Sequence, residues 1–423
     1  MNLNVFARRA SAVAAGVVLA CAWSAPARAA GEVEVLHWWT SGGEAKSVEE
    51  LKRLLGQQGV TWRDFGVQGG GGDAAMNALK ARVDAGHPPT AAQIKGPAIQ
   101  EWGRKGVLAN LDDVATAENW DIKLPRTIAD QMKVDGHWAA VPVNVHRVNW
   151  LWINKELMVK VGGRTPETWD QFFSLADRFQ KAGVVPLAHG GQPWQDLTIF
   201  EVVVLGVGGP DFYRQVFMKM DAAALRGETM SHSIDIYRRI KTYTDKGAPG
   251  RDWNVATSMV IKGQAGMQIM GDWAKGEFFA AGKKPVTDFV CTATPGSWNS
   301  YDYNVDSFAM FKLTAQAAVS GQKALASTIM SPAFQEIFNL NKGSIPVALG
   351  ANMGSFDHCG RESSGNFVAA SLANSLVPSF AHKMAQPDAR VAAVQTVVAK
   401  LWDDDSYPKA RAMEDLVAAA AAK

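Results

Sequence analysis

The chain is poor in cysteine, with three among 423 residues, and it carries almost no net charge, since 43 Lys and Arg face 41 Asp and Glu. That balance excludes a strongly basic surface for nucleic acid or an anionic membrane. No apolar run long enough to span a bilayer follows the first thirty residues. His37, His87, His137, His189 and His232 show no metal-ligand spacing such as HExxH, and two or three scattered cysteines make a poor metal site. The run GGGGDAAM at 69–76 lacks the Lys-Ser/Thr ending of a phosphate loop and reads as a flexible turn. There is no internal repeat and no complete catalytic signature. No metal and no cofactor are expected.

What is present reads as a soluble globular protein, 47% hydrophobic and 20% charged, long enough for two domains or lobes. Arg8 and Arg9 precede the apolar run ASAVAAGVVLACAW, which ends at APARAA, an A-x-A-like cleavage site. Residues 1–29 therefore read as a signal peptide cut near Ala29 or Ala30, which places the protein in the periplasm. A lipoprotein site at Cys21 is the alternative, although Leu19 fits it poorly. Cleavage leaves Cys291 and Cys359. An oxidising compartment invites them to bond, and the fold decides whether they are within reach.

Val33 and Val35 alternate in a strand that ends in HWW, and Val48, Leu51, Leu54 and Leu55 then form one helical stripe. VTWRDFGV is a second strand, and Met76, Leu79 and Val83 mark a second helix. This order argues an α/β lobe. Asp135-Gly136 signals a hairpin, and the run from Trp138 to Ile153 reads as one continuous strand passing between lobes. TPETWDQFFSLADRFQKAG is a helix burying Trp169, Phe172, Phe173, Ala176 and Phe179. Residues 196–285 are mainly helical, with a short strand and a helix start in GQAGMQIMGDWAKGEF. NVDSFAMFK is a strand, and the chain beyond about 315 is mostly helix.

Three segments, TPETWDQFFSLADRF, IKGQAGMQIMGDWAKGEF and SPAFQEIFNLNKGSIPV, together resemble the sugar-binding proteins of bacterial ABC importers, the maltose-binding type of extracellular solute receptor. The likeness spans nearly the whole mature chain. LHWWTSGGE, VPVNVHRVNWLWINK and GGQPWQD are similar to the subgroup that binds glucose and related monosaccharides. The resemblance implies an α/β, two-lobed periplasmic binding protein fold with several hinge crossings and a ligand cleft that closes by hinge movement. It divides the chain into lobe 1 at 31–143 and 302–342, and lobe 2 at 144–301 and 343–423. The implied partners are a monosaccharide and a membrane permease, with no nucleic acid, and the protein is expected to be a monomer and not an enzyme.

Trp38 and Trp39 sit where a strand opens toward a helix, the usual place for ligands in α/β sheets. An indole face suits the apolar C–H face of a pyranose. Glu44 completes a capping-box pattern with Ser41, whereas the resemblance puts an acid here on sugar hydroxyls. The resemblance also implies ligand roles for Gln93, Lys95, Trp273, Asp306, Lys342 and His382. Lysines would donate to hydroxyl oxygens, and histidine can donate or accept by tautomer. Asp302 competes with Asp306, and His358 with His382. Asp272 reads as a helix cap, and Asn144 and His146 as supporting or hinge groups. Trp194, on a glycine-rich loop, either covers the sugar or packs the loop. The expected function is capture of a monosaccharide, D-glucose foremost. The alternatives are a secreted glycoside hydrolase using Glu44 and Asp306 as its carboxyl pair, or a receptor for an oligosaccharide or an anionic sugar derivative.

Overall fold

The computed structural model describes residues 31–422; the expected signal peptide lies outside them. The chain begins with β1 (Gly31–His37), α1 (Gly42–Gln57), β2 (Val60–Gly66), α2 (Asp73–Asp84) and β3 (Ala91–Gln93). β1 pairs in parallel with both β2 and β3, so the carboxyl ends of these strands open on one side. Val33, Val35 and Leu36 are buried, as are Val48, Leu51 and Leu55 of α1. Leu54 is partly buried and packs against this core. Asp135-Gly136 forms the expected hairpin, joining short strands at Lys133–Val134 and His137–Trp138.

β4 (Ala140–Arg147) is buried at every residue and carries the chain out of the first core. β5 (Trp150–Asn154) then starts a second sheet. The single strand expected from Trp138 to Ile153 is thus divided: Trp138 closes the hairpin, and the rest is two strands on two sheets. The break is a tight turn in which Trp150 N donates to Val148 O at 2.8 Å. Asn149 pins it through its Nδ2, which donates to Ser297 Oγ and to Ser300 O. The second lobe continues through α3 (Trp169–Lys181), β6 (Val185–Leu187), α4 (Pro193–Tyr213), β7 (Ala265–Ile269), α5 (Ala274–Ala280) and β8 (Phe289–Ala293). Its sheet order is β8-β5-β7-β6. All five apolar residues expected on the inner face of α3 are buried.

β9 (Tyr301–Met310) returns to the first lobe. One edge pairs with β4. The other pairs with β10 (Leu376–Pro378) at its start and with β3 at its end. Between β9 and β10 lie α6 (Pro332–Lys342) and α7 (His358–Leu372). Each lobe has its own core. One runs from Val33 to Val145 and from Tyr301 to Val347, joined by Ala370 and Met384. The other runs from Val148 to Cys291 and from Val377 to Leu416, joined by Cys359. The Cys291–Cys359 disulfide, with Cα atoms 6.1 Å apart, ties β8 to the first turn of α7.

Candidate ligand-binding site

The two lobes face each other across a cavity walled by Trp38, Trp39, Glu44, Gly70, Lys95 and Lys342 on the side of the first core and by Trp194, Trp253, Trp273 and His382 on the other, with His146, Asn304 and Asp306 at the crossing strands. Its free space is about 40 Å³. That is room for a few ordered waters. Eight of the nine residues singled out in the sequence line this cavity. Gln93 does not: it is fully buried behind the wall, where its Oε1 accepts from Trp38 N at 3.3 Å and its Nε2 donates to Asp306 Oδ1 at 3.2 Å.

The tandem indoles divide their work. Trp39 is only 2% exposed and packs on Phe308 and Phe338, with ring centroids 5.4 and 5.2 Å away. Trp38, 9% exposed, lies against the glycine turn, where a methyl on Gly72 would come within 3.0 Å of its ring. Lys95 Nζ sits 5.3 Å from the Trp38 ring centroid. Glu44 serves two ends at once. Its Oε2 accepts from the Ser41 hydroxyl at 3.0 Å, and its Oε1 takes Lys342 Nζ at 2.7 Å. The capping pattern and the cleft role are therefore compatible in one side chain.

Asp306 sits at a register shift between β9 and β4, where Asp306 faces Asn144 and Ser307 faces Pro142. Such an irregularity re-aims a side chain. Its carboxylate accepts from His146 Nε2 at 3.0 Å. Burial opposes ionisation, but the hydrogen bond and charge of His146, with Lys95 and Lys342 nearby, hold Asp306 well below the usual carboxylate range. His146 also meets Asp272 through Nδ1. Despite burial, the Asp272 charge raises the His146 pKa, which fits an imidazolium shared by two carboxylates. Asp272 is not a side-chain cap: its second oxygen accepts from Arg147 N at 2.9 Å, fastening the turn before α5 to β4. Burial lowers the Lys95 pKa to about 8, with Asp306 pulling the other way. Burial, then Lys95, pushes His382 far below its ordinary value, so its imidazole is neutral and can donate or accept.

The competitors fall elsewhere. Asp302 is fully buried away from the cavity, and neither of its oxygens has a hydrogen-bond partner among the described residues. His358 stands at the start of α7, well exposed. Trp194 is not on a loop but in the first turn of α4, behind Pro193. Its ring centroid is 5.9 Å from that of His382. The reading of the residues missed Gly70, Trp253 and Asn304 altogether. Asn304 was findable: in YDYNVD, strand alternation puts residue 304 on the face of residue 306. Trp253 carried no comparable signal. Among the described residues no group of three or more His, Cys, Asp and Glu could hold a metal ion.

The profile of the bacterial extracellular solute-binding proteins matches residues 56–342. The chain belongs to that family. A probable sugar-binding periplasmic protein of Brucella melitensis is 47% identical over 391 residues, 92% of each chain. Another, from Rhizobium meliloti, is 46% identical over 413 residues, 98% of each. Among solved structures, a chitin oligosaccharide binding protein superposes with a TM-score of 0.77 at 18% identity, covering 92% of this chain and 98% of that one. At that identity the likeness speaks for the two-lobed fold of this solute-binding protein.

Proposed function

We propose that this solute-binding protein is a periplasmic receptor that captures a single sugar ring, D-glucose foremost, and presents it to the permease of an ABC importer. The observation that carries the reading is the composition of one small interlobe cavity: five indoles with paired carboxylates and ammonium groups around about 40 Å³ of free space. Indoles offer faces to ring C–H groups, and the charged groups bond hydroxyls, Glu44 while paired with Lys342 and Asp306 while paired with His146. The walls must part to admit even one ring. The names of the Brucella and Rhizobium relatives point the same way for sugar and compartment.

The carboxyl pair does not favour hydrolysis. A glycosidase acid needs a raised pKa. Asp306 is held ionised by His146, and Glu44 is engaged by Lys342. The mixed charges also argue against a dedicated anion site, since Lys342 is already neutralised by Glu44. Sugar titration calorimetry with D-glucose, D-galactose, D-xylose, maltose and a sugar acid tests this. A response to a monosaccharide supports the reading, and a response to maltose alone refutes it.

A further inference from the structure

Three glycines meet where α5 of the second lobe touches α1 and α6 of the first. A methyl on Gly43 would lie 2.7 Å from the Gly276 carbonyl carbon, one on Gly276 2.7 Å from Asn341 O, and one on Gly343 2.3 Å from Asp272 O. No larger residue fits at any of the three. Two of them adjoin a cavity residue, with Glu44 after Gly43 and Lys342 before Gly343, and Gly276 stands three residues after Trp273. α5 itself belongs to the second lobe, because Phe278 packs on Phe289 and Trp152 with ring centroids 4.3 and 5.7 Å apart.

Across this junction Glu277 reaches the start of α1. Its Oε1 accepts from Gly43 N at 2.9 Å, and its Oε2 lies 3.2 Å from where a Gly42 methyl would be. The first N–H groups of a helix have no partner within the helix, and the helix dipole favours a negative charge there. Glu277 lies outside the cavity wall.

We infer that Glu277 is a positioning residue for the ligand cleft: it latches the second lobe onto the amino end of α1 when the lobes close, and so fixes Glu44 and its partner Lys342 in place. The inference rests on the reading of the cavity as a ligand site, and it ties sugar retention to a side chain that does not touch sugar. The latch acts on the closed state, so losing it speeds release and leaves encounter unchanged.

The test compares wild type with Glu277→Ala, Glu277→Gln and Gly276→Ala. Stopped-flow tryptophan fluorescence gives the rates, small-angle scattering gives closure, and melting is followed without sugar. D-glucose is the first titrant and maltotriose the second, so a wild type that binds only maltotriose refutes the single-ring reading while the latch is still measured. For Glu277→Ala the expected result is dissociation about tenfold faster, or ~1.4 kcal/mol of affinity, with the association rate and the unliganded melting temperature unchanged. Glu277→Gln, which keeps an acceptor oxygen, recovers part of the loss, and Gly276→Ala impairs compaction at saturating sugar. Wild-type dissociation in Glu277→Ala overturns the inference. So does an unliganded melting temperature that falls as far as the liganded one, which would make the contact a permanent strut.

Discussion

Glu44 and Lys342 form a buried ion pair at 2.7 Å, with side chains 10% and 3% exposed. Glu44→Ala leaves the Lys342 ammonium with the Trp39 ring, 5.9 Å from its centroid, as a weak remaining partner. Stranding one member of a buried pair costs ~3–5 kcal/mol. Lys342→Met is milder, because Glu44 keeps the Ser41 hydroxyl and is the more exposed partner. The double variant Glu44→Gln/Lys342→Met leaves no unpaired charge, so it is expected to cost less than the sum of the singles Glu44→Gln and Lys342→Met, with a coupling of ~1–3 kcal/mol. Urea unfolding without sugar measures all three and Glu44→Ala, and calorimetry on the same proteins measures sugar affinity, which every variant should lose. Additive unfolding energies, or a Glu44→Ala cost below ~1 kcal/mol, would refute the pair as a structural unit of the unliganded protein.

Lys95, with its pKa lowered to about 8, loses its proton as pH rises past that value, so sugar affinity should fall between pH 7 and 9 while Lys95→Gln binds weakly and without that slope; calorimetry across the range checks this. Asp302 is pushed well above its ordinary value by burial and by the neighbouring charge of Glu201, which itself accepts from Tyr213, Ser379 and the N–H groups of Phe380 and Ala381. A carboxyl group with a raised folded pKa gives the unfolded chain fewer protons, so its contribution to stability falls as pH climbs above about 4. Asp302→Asn should therefore gain on wild type as pH rises, read as melting temperature against pH. The Cys291–Cys359 bond closes a separation of 68 residues. In the loop-entropy account its removal in the double serine variant costs ~4 kcal/mol, measurable by urea unfolding.

Much of the architecture was legible because local pattern and tertiary outcome agree. The stripe of α1, the amphipathic α3 and the Asp-Gly hairpin each state their own geometry. The cavity was partly legible, since Trp38 stands at a strand end and Glu44 at a helix start, whereas Asp306 lies in mid-strand, turned by a register shift. What the pattern could not carry was partnership. Gln93 carries the same amide whether it meets a ligand or fastens Asp306, and only the antiparallel pairing of β3 with β9 decides that. The break after Arg147 is silent in an apolar run, because it depends on Asn149 finding Ser297 and Ser300 about 150 residues away. Trp253 enters the wall through packing against the glycine turn of the other lobe, where a methyl on Gly70 would meet its ring at 3.0 Å.

On this reading the interlobe cavity takes one sugar ring. Calorimetry of the purified protein with D-glucose and with maltotriose, repeated on Trp38→Ala, decides this. Heat is expected with the monosaccharide, none with the trisaccharide, and binding about tenfold weaker or worse in the variant. Binding of maltotriose but not of any monosaccharide, or unchanged affinity in Trp38→Ala, would contradict it.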